Sequence, residues 1–222
     1  MSAYLNRRCR ARPAIVAAVR EIALSDPVGK RFVPDVHNGT GVLTVAGSSG
    51  RLDTDRAQVL CSAGAIVETI QWFGGPGQHA QPWEIPVELF RQRVAAVAAE
   101  CDRLVLVGTS FGAEAVLLTG SLDPLVDAVV AFAPTDVVWA GFRPDGTQTS
   151  HWTVGRSPVP YLPLVDWRPT SEPPAFRELY RLSREHATDA AAAEIAVERI
   201  PDVLLVAGPC ASADLTGASV GT

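Results

Sequence analysis

The sequence has no basic excess and no long apolar run, and each lack excludes a class of protein. Its 24 acidic and 19 basic side chains give a formal net charge of −5. A surface of that sign does not suit a phosphate backbone, so we expect no nucleic-acid partner. No apolar stretch reaches the roughly 18 residues that cross a bilayer, so we expect no membrane partner.

Cysteine is scarce and widely spaced. Cys9, Cys61, Cys101 and Cys210 lack the spacing of a zinc site or a redox pair. A chain of 222 residues can build a core without disulfides. The apolar stretch at 13–19 is short and lacks a convincing cleavage site, which argues against a secretory signal. We therefore expect a reduced, cytoplasmic protein that carries no metal and no cofactor.

What is present is the pattern of an α/β domain. Hydrophobic residues make up 47% of the 222 residues and charged residues 19%, which fits one globule with a sizeable core. From residue 41 onward, apolar runs alternate with segments of helical spacing, the rhythm of a mostly parallel sheet with helices on both faces. The predicted strands are 42–46, 66–72, 104–107, 128–132 and 203–207. The predicted helices are 53–63, 86–97, 113–119 and 174–186.

The predicted organisation is an N-terminal segment followed by one domain. Residues 1–40 contribute at most the first strands, and residues 41–222 form the domain. Within it, the stretch 139–174 carries seven prolines and three tryptophans and loses the periodic pattern. Because that stretch is too apolar for a solvated linker, we expect an irregular, cap-like excursion packed over the sheet.

The pentapeptide Gly108-Thr109-Ser110-Phe111-Gly112 is a G-x-S-x-G between an apolar strand and a helix, the context of a nucleophile elbow. Ser110 is therefore the predicted nucleophile. The Phe111 backbone N–H and the helix dipole would face the developing oxyanion. The second donor is expected after an earlier strand, in the turn 47–50, and we favour the Ser48 N–H. No phosphate-binding glycine motif follows that turn.

Several segments, including the serine motif, follow one another in the same order as the corresponding segments of a known protein family. They are 41–50, 85–88, 108–112, 128–134 with 137–139, 152 with 158–163, and 195–200. Together they resemble the C-terminal domain of the acyl-CoA thioesterase and bile acid-CoA:amino acid N-acyltransferase family. The resemblance spans about 41–208. It implies an α/β-hydrolase fold, with Ser110 at the position of the family's nucleophile and acyl transfer from a thioester to water or an amine.

The resemblance fails after the last predicted strand. The family places its acid in a G-x-D-D-like turn there, and its histidine after one more strand. Here the turn reads Gly208-Pro209-Cys210-Ala211, and no histidine follows His186. A premature end or an altered reading frame would explain the difference. A domain without its C-terminal strand and helix would leave a sheet edge open to self-association.

The partners of Ser110 remain open on sequence alone. Asp214 is the one acid after the last strand and is the first choice to orient a base, with Asp136, after the preceding strand, as the alternative. The loop residues His79 and His151 are the candidate bases. The other histidines are expected to be solvated: His37 and His186.

Three functions follow from these observations. The first is an acyl-CoA thioester hydrolase or acyltransferase-like serine enzyme acting on a small-molecule thioester or ester. The second is a catalytically impaired remnant or binding protein that lacks the triad histidine. The third is a general carboxylesterase, because an elbow alone does not distinguish oxygen esters from thioesters.

Overall fold

The secondary structure follows the alternation of apolar runs and periodic segments. The computed structural model describes residues 19–172 and 174–207. Its strands are β1 (Val19–Ser25), β2 (Val28–Pro34), β3 (Thr40–Val45), β4 (Ile66–Ile70), β5 (Ile85–Pro86), β6 (Arg103–Thr109), β7 (Ala128–Phe132), β8 (Ala140–Phe142), β9 (Gln148–Ser150), β10 (Trp152–Val154), β11 (Ser157–Pro158) and β12 (Asp202–Val206). Its α-helices are α1 (Thr54–Ser62), α2 (Glu88–Ala98), α3 (Phe111–Leu122) and α4 (Arg177–Glu185). Single 3-10 turns span Ala191–Ala193 and Val197–Arg199.

A seven-stranded sheet forms the centre, in the order β1-β2-β4-β3-β6-β7-β12. Five neighbouring strands of this sheet are mutually parallel: β4, β3, β6, β7 and β12. Strands β1 and β2 add an antiparallel hairpin at one edge. These five are the runs that the sequence predicts as strands, so a mostly parallel α/β sheet is confirmed. Their continuous apolar character reflects burial on both faces.

Helices cover both faces of the sheet, as alternate residues of β3 show. Val42 packs in one cluster with Ala57 and Cys61 of α1. Its neighbour Leu43 packs in another cluster with Val94 of α2 and Val116 of α3. Because successive side chains of a strand point to opposite faces, α1 lies on one face and α2 and α3 on the other. Within the described residues, no helix is long and apolar enough to cross a membrane.

The stretch 139–174 is more regular than the sequence predicts. Strands β8 and β9 pair with each other, and β10 lies between β5 and β11. Trp152 of β10 is fully buried, with its ring centroid 5.2 Å from that of Trp72 and 5.8 Å from that of Phe90. Strands of two or three residues are too short to show a period of two, which is why the sequence pattern misses them.

Helix α4 begins later than the sequence predicts. Its first residue is Arg177 rather than Pro174, and Phe176, directly before it, is 51% exposed. The Phe176 ring lies against Trp167, with centroids 5.9 Å apart. Tyr180 supplies the inward contact, with its ring 4.8 Å from that of Trp139.

The last described strand, β12, is an open edge in the described part of the chain. It pairs with β7 alone, and all five of its residues are exposed. The predicted self-association through this edge stays a prediction. Residues 208–222, where the expected acid Asp214 lies, fall outside the described residues.

A buried charge cluster fastens the β1–β2 hairpin to the rest of the fold. The Glu68 carboxylate on β4 is fully buried and accepts hydrogen bonds from Arg93 Nε and Nη2 on α2, at 2.8 and 2.7 Å. Arg31 of β2 lies 3.4 Å from the same carboxylate and 2.7 Å from Glu100. One carboxylate therefore joins the hairpin, the sheet and α2.

Replacing Glu68 with leucine is expected to lower the free energy of unfolding by about 3 kcal/mol, because two largely buried guanidinium groups lose their shared partner. Urea denaturation followed by circular dichroism measures the change. The matched control is Arg103→Met, which breaks the exposed Arg103–Asp202 pair and is expected to cost less than about 1 kcal/mol. Equal losses in the two variants would contradict the role assigned to Glu68.

Candidate active site

Ser110 occupies a strained turn between a strand and a helix. Its backbone has φ 55° and ψ −121°, directly between the end of β6 and the start of α3. The Ser110 N–H donates to the Phe132 carbonyl at 2.9 Å, and its carbonyl accepts from Ala113 and Glu114 at 2.8 and 3.1 Å. This positive-φ conformation is the strained backbone expected at a nucleophile elbow. It leaves the Ser110 side chain exposed.

Two glycines make this turn sterically feasible. A Cβ on Gly108 would lie 2.1 Å from the Gly112 carbonyl oxygen. A Cβ on Gly112 would lie 2.4 Å from the Ala46 carbonyl oxygen. In both cases the obstacle is backbone, which cannot turn aside as a side chain can. Helix α3 therefore begins in direct contact with the ends of β3 and β6.

A cleft of about 670 Å³ opens beside the turn and is lined by Ser110, Phe111 and Ser48. Large side chains from the stretch 139–174 and from α4 supply much of the remaining wall: Trp139, Phe142, Leu164, Leu179 and Tyr180. A volume of this size accommodates a small organic ligand, and an apolar wall suits an acyl chain.

The loop after β3 lies against the serine turn. A Cβ on Gly47 would lie 3.1 Å from the Ser110 Cβ and 2.8 Å from the Thr109 carbonyl oxygen. The N–H of Phe111 precedes the first hydrogen bond of α3 and so has no partner within the helix. In the part of the chain that the structure describes, the Ser48 N–H also makes no hydrogen bond. Ser48 and Phe111 line the same cleft as Ser110, and the role of their N–H groups as oxyanion donors stays a prediction.

The two candidate bases contact partners other than Ser110. His151 is buried, with Nδ1 3.2 Å from Glu114 Oε1 and its ring 4.4 Å from the Phe111 ring. His79 stacks on Trp83 at 3.6 Å, with Nδ1 2.7 Å from the Trp83 carbonyl oxygen.

The other two histidines are exposed, as expected. His37 Nδ1 accepts from the Gly39 N–H, and His186 Nδ1 lies 2.8 Å from the Leu182 carbonyl oxygen. Within residues 19–172 and 174–207, no histidine therefore forms a hydrogen bond with Ser110. Nor do the described residues form a cluster of His, Cys, Asp or Glu that could hold a metal ion.

Of the two candidate acids, one lies in the cleft and the other lies outside the described residues. Asp136 follows β7 and lines the cleft beside Ser110. Its carboxylate accepts two hydrogen bonds from Arg184, at 2.5 and 2.8 Å. Asp136 is thus paired with a guanidinium group rather than with a histidine. Asp214 belongs to the residues beyond 207.

Glu114 is a residue of this site that the sequence reasoning missed. It lines the cleft one turn after Ser110 and is fully buried. Its Oε1 accepts from the Trp152 indole N–H at 2.7 Å and from the Trp139 backbone N–H at 3.2 Å. Burial, and next the charge of Glu114, raise the pKa of Tyr180 to about 12. A glutamate inside the apolar run GAEAVLL was the available signal.

Strain at Ser110 predicts an order of stability among substitutions. Ser110→Gly is expected to exceed Ser110→Ala in free energy of unfolding by about 1 kcal/mol, because glycine adopts a positive φ without steric cost. Urea denaturation of both variants measures the difference. At the exposed mid-helix residue Gln58 of α1, the same pair of replacements is the control, and alanine should be the more stable there. An alanine variant as stable as glycine at position 110 would refute the strain.

No protein-family model and no curated protein matches the chain. Among solved structures, it is similar to the hypothetical protein PA2218 from Pseudomonas aeruginosa, with 15% identity, a TM-score of 0.42, and 62% of this chain and 50% of that chain covered. It is also similar to DcsB, in a complex with its substrate analogue, with 19% identity, a TM-score of 0.43, and 55% of this chain and 46% of that chain covered. The esterase Est22 is similar with 18% identity, a TM-score of 0.43, and 60% of this chain and 48% of that chain covered. The chain spans about half the length of these proteins, and at TM-scores below 0.5 the likenesses assign no function.

Proposed function

We propose that this chain is a serine-dependent acyl-transfer protein of the α/β-hydrolase type, which accepts an acyl group from a thioester or ester on Ser110. The observation that carries the proposal is the conformation of Ser110. Its positive φ at the junction of β6 and α3 exposes the hydroxyl at a cleft of about 670 Å³. Strain at such a junction is typical of a nucleophile held for reaction.

In the proposed reaction the Ser110 oxygen attacks the carbonyl carbon of the substrate. The Ser48 and Phe111 N–H groups stabilise the oxyanion that forms, together with the positive end of α3. The bond from the carbonyl carbon to the leaving sulfur or oxygen then breaks, and the serine proton leaves to solvent or to the departing group. Water or an amine afterwards takes the acyl group from Ser110.

Thioesters are the favoured substrates because of their leaving group. A thiol has a pKa near 8.5, so a thiolate departs at neutral pH without a proton donor, whereas an alkoxide needs one. Since the described histidines are engaged elsewhere, a reaction with little need for proton transfer fits the site best. The resemblance of the sequence to acyl-CoA thioesterases supports the same substrate class.

The second candidate is a binding protein that holds an acyl compound without turning it over. The positions of the four histidines favour it, because each contacts a partner other than Ser110. A serine hydroxyl without a general base is a weak nucleophile at neutral pH. A general carboxylesterase is the third candidate, and substrate comparison separates it from a thioesterase.

We expect slow release of thiol from acyl-CoA substrates of several chain lengths, because the oxyanion donors and the cleft act without a histidine. Sites that retain only these elements keep a rate about 10³ to 10⁴ above the uncatalysed one. A chromogenic thiol reagent follows the release, and intact-mass spectrometry detects an acyl group on the protein. Matched p-nitrophenyl esters test the carboxylesterase alternative.

Ser110→Ala is expected to remove the acyl adduct and to lower the turnover, while Ser62→Ala, at the exposed end of α1, should change neither. Some thiol release is expected to remain in Ser110→Ala, because the oxyanion donors also assist direct attack by water. An unaltered chain that releases thiol at the same rate as Ser110→Ala and carries no acyl adduct would overturn the proposal. Equal background rates for both proteins, with acyl-CoA still bound, would favour the binding protein. Rapid turnover lost in His151→Gln or His79→Gln would instead identify that histidine as a base.

A further inference from the structure

Among the described residues, only one of the two Glu114 carboxylate oxygens has hydrogen-bond partners. The Trp139 backbone N–H, the Trp152 indole N–H and His151 Nδ1 all converge on Oε1, at 3.2, 2.7 and 3.2 Å. Oε2 is buried and has no hydrogen-bond partner among the described residues. A buried acceptor without a donor is costly, and native proteins rarely keep one without a reason.

The unpartnered oxygen belongs to a residue of the cleft wall. Glu114 lies in the first turn of α3, four residues after Ser110, and both residues line the same cleft. The neighbouring wall is formed by the rings of Trp139, Tyr180 and Phe111. Glu114 is therefore a buried acceptor in a largely apolar wall, one helical turn from Ser110.

We infer that Glu114 Oε2 accepts a hydrogen bond from a donor carried by the acyl group of the ligand, a hydroxyl or an ammonium. This inference rests on the proposed function, because it takes Ser110 as the point where the acyl carbonyl lies. The donor must then be a few bonds from that carbonyl, since one helical turn separates the two residues. Because Oε2 is buried, the ligand must displace part of the wall as it binds.

A single substitution tests the role of Oε2 while leaving Oε1 in use. In Glu114→Gln, two obligate donors, the Trp139 and Trp152 N–H groups, fix the amide oxygen at the Oε1 position. The amide NH₂ then stands where Oε2 stood and replaces an acceptor by a donor. Because that acceptor is lost, the Glu114→Gln variant should no longer prefer a ligand that carries a hydrogen-bond donor.

Binding is measured by calorimetry in a Ser110→Ala background, so that the ligand is not consumed and the readout does not depend on turnover. The probes are ethyl hexanoate, ethyl 3-hydroxyhexanoate and ethyl 3-aminohexanoate. We expect one or both of the substituted esters to bind about tenfold more tightly than ethyl hexanoate, as a hydrogen bond to a charged group warrants. The hydroxy and amino probes distinguish a neutral donor from a cationic one.

In Ser110→Ala/Glu114→Gln that preference should be lost, whereas Ser110→Ala/Glu178→Gln, altered at an exposed residue of α4, should keep it. If ethyl hexanoate binds as tightly as both substituted esters, or if no probe binds, the inference is wrong. The comparison within Ser110→Ala can refute the inference even if the double variant fails to fold, since equal binding of all three esters excludes a recognised donor. Selective binding without any turnover by the unaltered chain would refute the proposed catalysis and leave the Glu114 site standing.

Discussion

The arrangement of the site depends on the contact between the first turn of α3 and the sheet beneath it. That contact is possible because Gly108 and Gly112 have no side chains, and a Cβ at either position would meet backbone atoms at 2.1 to 2.4 Å. The short distance forces the chain to reverse within one residue, and Ser110 takes the positive φ. The same reversal directs the start of α3 towards the cleft and places Glu114 in its wall.

Two buried glutamates show opposite ways of keeping a charge inside this fold. Glu68 is neutralised by Arg93 and Arg31, which hold both of its oxygens, so it serves to fasten the hairpin, the sheet and α2 together. Among the described residues Glu114 pairs with no arginine, and two N–H groups and a histidine ring nitrogen contact one of its oxygens. Its second oxygen has no partner within the same residues, and under the inference above that oxygen serves a ligand, whereas both oxygens of Glu68 are occupied.

The sequence predicts those parts of the fold that depend on local pattern. Strands such as β3 are continuous apolar runs because both faces are covered, and Ser110 is recognisable because two glycines bracket it between a strand and a helix. The short strands β8 to β11 escape prediction because they exist only through pairing with distant segments. Glu114 escapes for the same reason, since its donors lie 25 to 38 residues further along the chain.

The position of His151 links the fold to the proposed chemistry. Its ring packs against Phe111 and its Nδ1 faces Glu114, so His151 contributes to the wall behind the serine turn rather than to the open cleft. A histidine in this position contacts a carboxylate and an aromatic ring, and in the described part of the chain it makes no hydrogen bond to Ser110. Under the proposed function, the described site therefore contributes binding of the acyl group and stabilisation of an oxyanion. Under the proposed function, the reactivity must then come from the substrate, and this is why a thioester, with its ready leaving group, suits the cleft better than an oxygen ester.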